Sequence, residues 1–348
     1  MMPLTDLAPD YQVPRIILGA WQLSSGHSAG PADAAAAFDL WDRCLDRGLN
    51  TLDCADIYTG VEALIGGYVR RRRAAGQSLP QVHTKFVPDL AALATIDRRS
   101  VERIIDRSLA RLGVDRLDLV QLHWWDYRAP GRDEALGGLD DLRRDGKIRL
   151  IGLTNFDTRG LQDLAATGIP IASIQLQYSA LDQRPARRLA AAARGAGIPL
   201  LCYGSVAGGF LSDRWLGREP PTDAENRSLV KYRLIIDDIG GWTMFQRVLT
   251  ALRGIADRHR ASIAQVAIRF VLDQPGVGAA IVGARHAGHL DDLGRVASLH
   301  LDREDHTVIA MAVGSAPGPV GDVYEAEREP GGRHAAIMRY DLNAAATD

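Results

Sequence analysis

Short apolar runs alternate along most of the chain with longer segments in which hydrophobic residues recur at helical spacing. Short apolar runs bounded by polar or glycine-containing turns are typical of buried strands. The strands predicted in this way are Arg15–Ala20, Thr51–Asp53, Val82–Phe86, Leu117–Leu122, Ile148–Leu153, Ile171–Leu176, Pro199–Tyr203 and Val277–Val282.

The segments between these runs have the period of an amphipathic helix, and several of them end at glycine or proline. The predicted helices are Ala34–Arg47, Glu62–Ala75, Asp97–Leu112, Asp133–Asp145, Thr158–Ala166, Pro185–Arg194, Thr243–His259, Ser262–Leu272 and Ala287–Val296. Residues Gly204–Gly241 are predicted to form a long loop. The tail from 301 to 348 is interrupted by glycine and proline, which indicates an irregular extension.

Eight strand-like segments that alternate with helices predict a parallel sheet, and eight parallel strands close a barrel. The expected fold is therefore a single-domain (β/α)8 TIM barrel over about residues 15–300, followed by the C-terminal extension. The main alternative is an open doubly wound sheet. Its Gly-x-Gly-x-x-Gly fingerprint directly after the first strand is absent from this sequence.

Composition narrows the class of protein. The chain has 348 residues, of which 46% are hydrophobic and 24% charged, and a net charge of −2 predicts no nucleic-acid partner. Three scattered cysteines, Cys44, Cys54 and Cys202, favour a reducing cytoplasm over a disulfide framework. The first residues do not resemble a secretory signal, and no apolar run reaches the ~18 residues of a membrane span.

Polar side chains with chemical potential stand at the ends of three successive strands. Asp53 and Tyr58 follow the second strand, Lys85 ends the third, and His123 follows the fourth. Each residue alone can be explained by a purely structural role, for example an aspartate that caps a turn or a buried histidine whose hydrogen bonds are all made within the core. Together they lie where barrel enzymes place their chemistry, at the carboxyl ends of the strands. A lysine inside a buried strand also requires a partner, and Asp53 is the natural one.

At this point the chain is identified as resembling the aldo-keto reductase superfamily over nearly its whole length. The segment Leu52–Tyr58 resembles that family's Asp-x-Ala-x-x-Tyr signature. The resemblance implies reduction of an aldehyde or ketone to the alcohol, or the reverse reaction, with NADP(H) as cofactor and NAD(H) as the alternative. It also implies that Tyr58 is the general acid and that Asp53, Lys85 and His123 complete a catalytic tetrad.

These four residue types suit that chemistry. A developing alkoxide needs a proton, and a phenol has an ordinary pKa of ~10, too high for easy transfer near neutrality. We expect the Lys85 ammonium to lower the pKa of Tyr58, and Asp53 to hold Lys85 charged. His123 is expected to donate a hydrogen bond to the substrate's carbonyl oxygen.

The resemblance also implies a set of cofactor-binding residues. Tyr203 resembles the family's stacking aromatic, and Thr154, Asn155 and Gln175 its carboxamide-binding group. The remaining candidates, for the phosphates and the adenosine, are Gly204, Ser205, Gly208, Gly283, Arg285 and His289. His289 replaces a residue that is usually more basic, and Leu293 replaces a usual asparagine. The alternatives are a core role for Tyr203, helix capping by Thr154 and Asn155, and a solvated Arg285.

Trp21, Trp124 and Trp125 are the candidate substrate-binding residues, because they flank the expected pocket mouth; covering a surface loop is the alternative. Trp242 is a candidate for a lid. No metal site is predicted, since His286 and His289 lack further ligands at suitable spacing. Two other functions remain open: a cofactor-sensing regulatory subunit on the same barrel, and a lyase or isomerase that uses Tyr58 and Lys85 without a cofactor. The pattern predicts neither the substrate nor the oligomeric state.

Overall fold

The centre of the molecule is a closed barrel of eight parallel strands, which confirms the predicted fold class. The computed structural model describes residues 2–25, 27, 32–223, 226–284, 287–314 and 318–343, with the backbone alone for 287–289. The barrel strands are β3 (Ile16–Gly19), β4 (Thr51–Asp53), β5 (Gln81–Phe86), β6 (Leu117–Leu122), β7 (Ile148–Thr154), β8 (Ile174–Gln177), β9 (Leu200–Tyr203) and β10 (Val277–Val282). They pair in chain order, and β10 closes the ring between β9 and β3.

Helices surround the barrel in the connections between strands. Those between β3 and β9 are α1 (Ala34–Asp46), α2 (Val61–Ala74), α3 (Arg98–Leu112), α4 (Arg132–Arg144), α5 (Thr158–Ala165), α6 (Arg184–Arg187) and α7 (Leu189–Gly195). After β9 come α8 (Arg227–Asp238), α9 (Gly241–His259), α10 (Ile263–Leu272), α11 (Ala287–Val296), α12 (Arg303–Gly314) and α13 (Glu325–Arg328). No helix in the described part of the chain is long and apolar enough to cross a membrane.

Several elements differ from the sequence-based prediction, including the strand predicted as Ile171–Leu176, which is Ile174–Gln177. A hairpin of β1 (Leu4–Ala8) and β2 (Tyr11–Pro14) precedes the barrel, and the predicted long loop contains α8. The predicted helix Pro185–Arg194 is two helices, because the backbone leaves the helical conformation at Arg188 (φ −141°). The extension also begins with a regular helix, α12, before the chain becomes irregular.

The N-terminal hairpin covers the amino-terminal end of the barrel. Thr5 donates to the carbonyl of Gly278 at the start of β10 (2.7 Å), and the Tyr11 hydroxyl lies 3.2 Å from Nε2 of His83 inside the barrel. Both Tyr11 and His83 are buried. Packed side chains therefore close the barrel interior at this end, whereas residues at the carboxyl ends of the strands line a pocket.

The irregular part of the C-terminal extension crosses that carboxyl end. Arg328 donates through Nη2 to the carbonyls of Trp124 (2.9 Å) and Asn155 (2.8 Å), which follow β6 and β7. At the far end of the described tail, Nδ2 of Asn343 donates to the carbonyl of Val87 (2.6 Å), just after β5. The tail is therefore tied to three strand ends around the barrel opening.

Candidate active site

The structure brings Asp53, Lys85 and Tyr58 into contact at the carboxyl end of β4 and β5. Lys85 donates from Nζ to Oδ2 of Asp53 (2.7 Å) and to the carbonyl of Cys54 (2.7 Å). The same ammonium lies 5.1 Å from the centre of the Tyr58 ring. Lys85 and Asp53 are 5% and 3% exposed, so this ion pair is shielded from solvent, whereas Tyr58 is half-buried and lines the pocket above it.

Asp53 is held by three donors. In addition to Lys85 at Oδ2, its Oδ1 accepts from Nε2 of Gln121 (3.0 Å) and from Nε2 of Gln175 (2.6 Å). Burial alone would lower the pKa of Lys85, but the charge of Asp53, followed by that of Tyr58, outweighs burial and raises the pKa above its ordinary value. Lys85 is therefore a permanent cation beneath the phenol.

The pKa of Tyr58 is raised, whereas the sequence predicts that Lys85 lowers it. Burial raises the pKa of Tyr58, and the opposing charge and hydrogen bond of Lys85 do not fully compensate. Asp53 also raises it, because its carboxylate disfavours a nearby phenolate. The phenol consequently keeps its proton in this arrangement, and Lys85 limits the cost of losing it instead of making the group acidic.

His123 is buried directly after β6, with its ring edge-on to those of Trp125 (centroids 4.2 Å apart) and Tyr324 (5.5 Å). Its Nδ1 lies 3.2 Å from the carbonyl oxygen of Thr154. A carbonyl oxygen only accepts, so Nδ1 carries a proton. Burial, reinforced by Arg328, lowers the pKa of His123 to about 3, so the ring is neutral.

It follows that Nε2 of His123 presents a lone pair. Among the described residues this buried nitrogen has no hydrogen-bond partner. The described pocket lining does not include His123, and the expectation that it donates to a carbonyl oxygen stays a prediction. In this tautomer the ring accepts a hydrogen bond, as from an alcohol hydroxyl, and donation requires a second proton or the release of Thr154.

The candidate nicotinamide-binding residues lie together at the ends of β7, β8 and β9. Tyr203 donates from its hydroxyl to Oδ1 of Asn155 (2.8 Å) and lines the pocket with Gln175. Oγ1 of Thr154 is buried and has no partner among the described residues. Gln175 is a candidate for binding the nicotinamide amide, and it also supports the ion pair. Its Nε2 donates to Oδ1 of Asp53 and to Oε1 of Gln121 (2.9 Å).

The glycine-containing segment after β9 packs against α8. Gly204 and Gly208 have positive φ values of 77° and 65°, and a Cβ at either would lie 2.3 Å and 2.7 Å from atoms of Tyr232. Close packing on this ring therefore accounts for both glycines. Ser205, between them, has a buried Oγ without a partner in the described part of the chain.

The candidate adenosine end is described only in part. Gly283 follows β10, and a Cβ there would lie 2.3 Å from the Gln22 side chain, which donates to the carbonyl of Ala284 (3.1 Å). Arg285 and the side chain of His289 lie outside the described residues. Their assignment to the adenosine phosphate remains a prediction from the sequence.

A pocket of about 520 Å³ opens above Tyr58, and two of the three candidate tryptophans line it. The Trp21 ring lies 4.8 Å from that of Tyr58, and Trp125 donates to the carbonyl of Pro88 (2.9 Å). Trp124 is not among the lining residues: it is fully buried and donates to the carbonyl of Ala129 (3.2 Å). Among the described residues, no cluster of three or more metal-ligating side chains occurs.

Sequence reasoning missed two walls of this pocket. One is α8, which contributes Arg227 and Lys231, and the other is the tail, which contributes Tyr324 and residues 336–339. The helix had a usable signal, because Asn226 caps it and Leu229, Tyr232, Ile235 and Ile236 follow at helical spacing. The tail has no periodic pattern that could have placed it. Trp242 lies in α9, where its ring packs on Trp215 and Phe245 instead of reaching the pocket.

This geometry agrees with a family-level match. The sequence model of the aldo/keto reductase family matches residues 15–313 of this chain. The chain belongs to the aldo/keto reductase family. Members of this family are oxidoreductases that act on carbonyl compounds. The match spans all eight barrel strands and every candidate site residue outside the tail.

Several characterised or named proteins resemble the chain. Aldo-keto reductase YhdN of Bacillus subtilis (strain 168) is 25% identical over 330 residues, covering 88% of this chain and 92% of that protein. Protein tas of Escherichia coli (strain K12) is 27% identical over 326 residues, covering 82% and 90%. Flagellar radial spoke protein 5 of Chlamydomonas reinhardtii is 30% identical over 262 residues, covering 63% of this chain; the match spans about half of that protein (49%).

Solved structures share the fold. A glycerol dehydrogenase from Gluconobacter oxydans superposes with a TM-score of 0.77 at 24% identity, covering 93% of this chain and 98% of that one. A thermostable aldo-keto reductase in complex with the inhibitor epalrestat gives 0.71 at 23% identity, covering 89% and 100%. These similarities establish the barrel architecture.

Proposed function

We propose that this chain is a nicotinamide-dependent oxidoreductase that interconverts an aldehyde or ketone and the corresponding alcohol, and that it prefers NADP(H) to NAD(H). The observation that carries the proposal is the buried Lys85–Asp53 ion pair directly beneath the half-buried phenol of Tyr58. A barrel needs no buried lysine in a strand for stability, because a buried ion pair contributes little net free energy compared with apolar residues. Its position under an accessible phenol points to proton transfer.

The residues around the pocket fit a nicotinamide cofactor. The buried hydroxyls of Thr154 and Ser205 lack partners among the described residues, and Tyr203 offers an aromatic face beside the Asn155 amide. Unpaired buried polar groups are costly, so a ligand that supplies their hydrogen bonds would be favoured. A cofactor held by these residues would supply or accept the hydride.

The residues of the chain would manage the proton. In the reductive direction Tyr58 gives its phenolic proton to the substrate oxygen, and the charge of Lys85 stabilises the phenolate that remains. Asp53 keeps Lys85 in position, and Gln121 and Gln175 keep Asp53 in position. His123 accepts a hydrogen bond from the hydroxyl of the alcohol at Nε2. The side chains of Trp21 and Trp125, which line the pocket, would reduce the access of water to the reacting oxygen.

Substitution of Tyr58 by Phe tests this proposal, because it removes only the hydroxyl. Turnover of a responsive carbonyl compound should fall by about 100-fold or more, the size of a general-acid contribution. The dissociation constant of the cofactor, from fluorescence titration, should stay unchanged. Tyr340→Phe is a matched control, since the one hydrogen bond of the Tyr340 hydroxyl within the described residues is to the carbonyl of Ala335 (3.1 Å).

Near-normal turnover in the Tyr58→Phe variant would refute the assignment of the general acid. Tight cofactor binding by the wild type without turnover on aldehydes, ketones and sugars would instead favour a cofactor-sensing role. Absence of cofactor binding would favour a lyase or isomerase.

A further inference from the structure

Helix α8 places a lysine in the wall of the pocket. Leu229, Tyr232 and Ile235 bury one side of this helix against the barrel, and Lys231 is half-buried beside them. Its Nζ donates to the hydroxyl of Tyr203 (3.3 Å) and lies 4.7 Å from the centre of the Tyr203 ring. A second ring, that of Tyr232, is centred 5.7 Å away. The ammonium is thus held at the pocket surface by a neutral hydroxyl and two aromatic faces.

Two buried carboxylates, Asp182 and Glu327, act on Lys231 through their charge, but both bind Arg184. One guanidinium between two carboxylates leaves one negative charge near Lys231, not in contact with it. Arg184 donates to both oxygens of Asp182 (2.9 and 2.8 Å) and to both oxygens of Glu327 (2.9 and 3.0 Å), and all three residues are almost completely buried. Among the residues that the structure describes, Lys231 forms no ion pair. Burial lowers the pKa of Lys231 to about 8, opposed by Glu327, so most molecules carry the charge at pH 7.

The described residues that line the pocket offer Lys231 no free carboxylate. Among its described lining residues the cations are Arg227, Lys231 and Arg339, and the carboxylate is Asp53, which is neutralised by Lys85. Arg227 donates to the carbonyl of Ile337 in the tail (2.8 Å), and Arg339 is exposed and screened by solvent. Among the described residues the Lys231 ammonium contacts no carboxylate or carbonyl oxygen, whereas Arg227 binds a carbonyl and Arg339 is exposed, so an anion in the pocket would interact most strongly with Lys231.

The position of Lys231 favours the substrate over the cofactor phosphates as its partner. Its hydrogen-bond acceptor, Tyr203, binds Asn155 in turn, and this pair is assigned to the nicotinamide end of the cofactor. The other walls, including Trp21, Trp125 and Ile57, are aromatic or aliphatic. A pocket of this kind suits a molecule with an apolar body and one negative charge. A compact ammonium group is a suitable partner for a single carboxylate.

We propose that Lys231 is a specificity-determining residue that pairs with a carboxylate carried by the carbonyl substrate, so that the preferred substrates are aldehyde or oxo acids with an apolar body. This inference rests on the proposed carbonyl oxidoreductase function. It assigns a substrate class to the same pocket and gives a role to a residue outside the Asp53, Tyr58, Lys85 and His123 group.

The test uses pairs of substrates in which one member carries a carboxylate and the other its neutral methyl ester, larger by one methyl group. The 2-, 3- and 4-carboxybenzaldehydes sample three separations between the carboxylate and the reacting carbonyl, and their methyl esters are the neutral counterparts. Wild-type kcat/KM should favour at least one acid over its ester. Lys231→Met should raise KM for that acid by about 10- to 100-fold, the scale of a hydrogen bond to a charged group, and leave its ester within about twofold. Lys231→Arg should retain most of the preference.

The acid-to-ester ratio is measured within each variant, so a loss of folded protein cancels. Equal changes in KM for acid and ester, or a wild type that prefers the esters, would overturn the proposal. A rise in the dissociation constant of the cofactor without a change in this ratio would move Lys231 to the cofactor and would also overturn it.

Failure of the proposed function is recognised separately. If the wild type reduces none of these aldehydes, the carboxylate site can still be tested by binding. Calorimetric titration with 4-(hydroxymethyl)benzoate and its methyl ester measures the affinity of wild type and Lys231 variants for each compound. Binding of the acid that is lost in Lys231→Met and kept in Lys231→Arg would support the carboxylate site without turnover. Absent binding, or equal binding to wild type and Lys231→Met, would overturn it.

Discussion

The buried Lys85–Asp53 pair allows a quantitative prediction for the free energy of unfolding. In Asp53→Asn the volume of the side chain is conserved, and its carbonyl oxygen can still accept from Gln121 and Gln175. The amide nitrogen, however, then faces the Lys85 ammonium, and both groups are donors. Lys85 keeps one neutral acceptor, the carbonyl of Cys54, and no anion. Removing one partner of a buried pair in this way costs about 3–5 kcal/mol.

The structure also sets an upper limit on this loss. A buried lysine without its partner can lose its proton instead of remaining charged. From an unperturbed pKa of ~10.4, neutralising it at pH 7 costs about 4.6 kcal/mol, and at pH 9 about 1.9 kcal/mol. The pKa of Lys85 would then fall below its unfolded value, so the folded state binds fewer protons and stability rises with pH. We expect the loss in Asp53→Asn to shrink by up to about 1.4 kcal/mol for each pH unit.

Urea unfolding followed by circular dichroism at pH 7, 8 and 9 measures these losses. The double variant Asp53→Asn/Lys85→Met removes both charges, so it should recover most of the stability, as neutral replacements of buried pairs often do. Asp39→Asn is the control, because Asp39 pairs with Arg43 in solvent and should matter by less than about 1 kcal/mol. A loss below that level in Asp53→Asn, a loss independent of pH, or additive effects in the double variant would refute the reasoning.

Two further predictions concern His123 and Arg285. The pKa of His123 is lowered to about 3 from an ordinary 6.5, so the unfolded state binds more protons between these values and stability should be lost as pH falls from about 6.5 towards 3. His123→Asn should show a flatter pH dependence of urea unfolding over this range, and an unchanged slope would contradict the buried neutral ring. Arg285→Ala should weaken NADP(H) binding by about 1.5–3 kcal/mol while NAD(H) binding hardly moves. Equal losses for both cofactors, measured as dissociation constants, would contradict binding of the 2′-phosphate by Arg285.

The barrel and the residues at its strand ends could be predicted because their signals are local. Parallel strands are buried on both faces, so they are visible as short apolar runs, and chemistry at their carboxyl ends follows from the closure of the barrel. Val277–Val282 and Ala287–Val296 were predicted with the bounds that the structure has. The pairing of Lys85 with Asp53 followed from the cost of burying an unpaired charge.

The parts that could not be predicted depend on contacts between distant segments. The hairpin Leu4–Ala8 and Tyr11–Pro14 is defined by its place against the amino end of the barrel, which no local period encodes. The sign of the pKa shift of Tyr58 depends on the balance between burial and Lys85, and the tautomer of His123 depends on the carbonyl of Thr154. Residue types at strand ends indicate which groups are present, and not their protonation.

The buried ion network near Lys231 connects the proposed substrate-binding wall to the C-terminal extension. Glu327 belongs to that extension, and its two hydrogen bonds with Arg184 hold α13 against the start of α6. Arg328, the next residue, is held by the carbonyls of Trp124 and Asn155 and lies 5.0 Å from the ring of Tyr324, which packs on His123. Because Glu327 and Arg328 hold α13 in place, they also hold Tyr324 in the wall of the pocket that Lys231 lines from α8. In the proposed function the strand ends of the barrel would carry the proton chemistry, whereas α8 and the tail would form the part of the pocket that distinguishes one carbonyl compound from another.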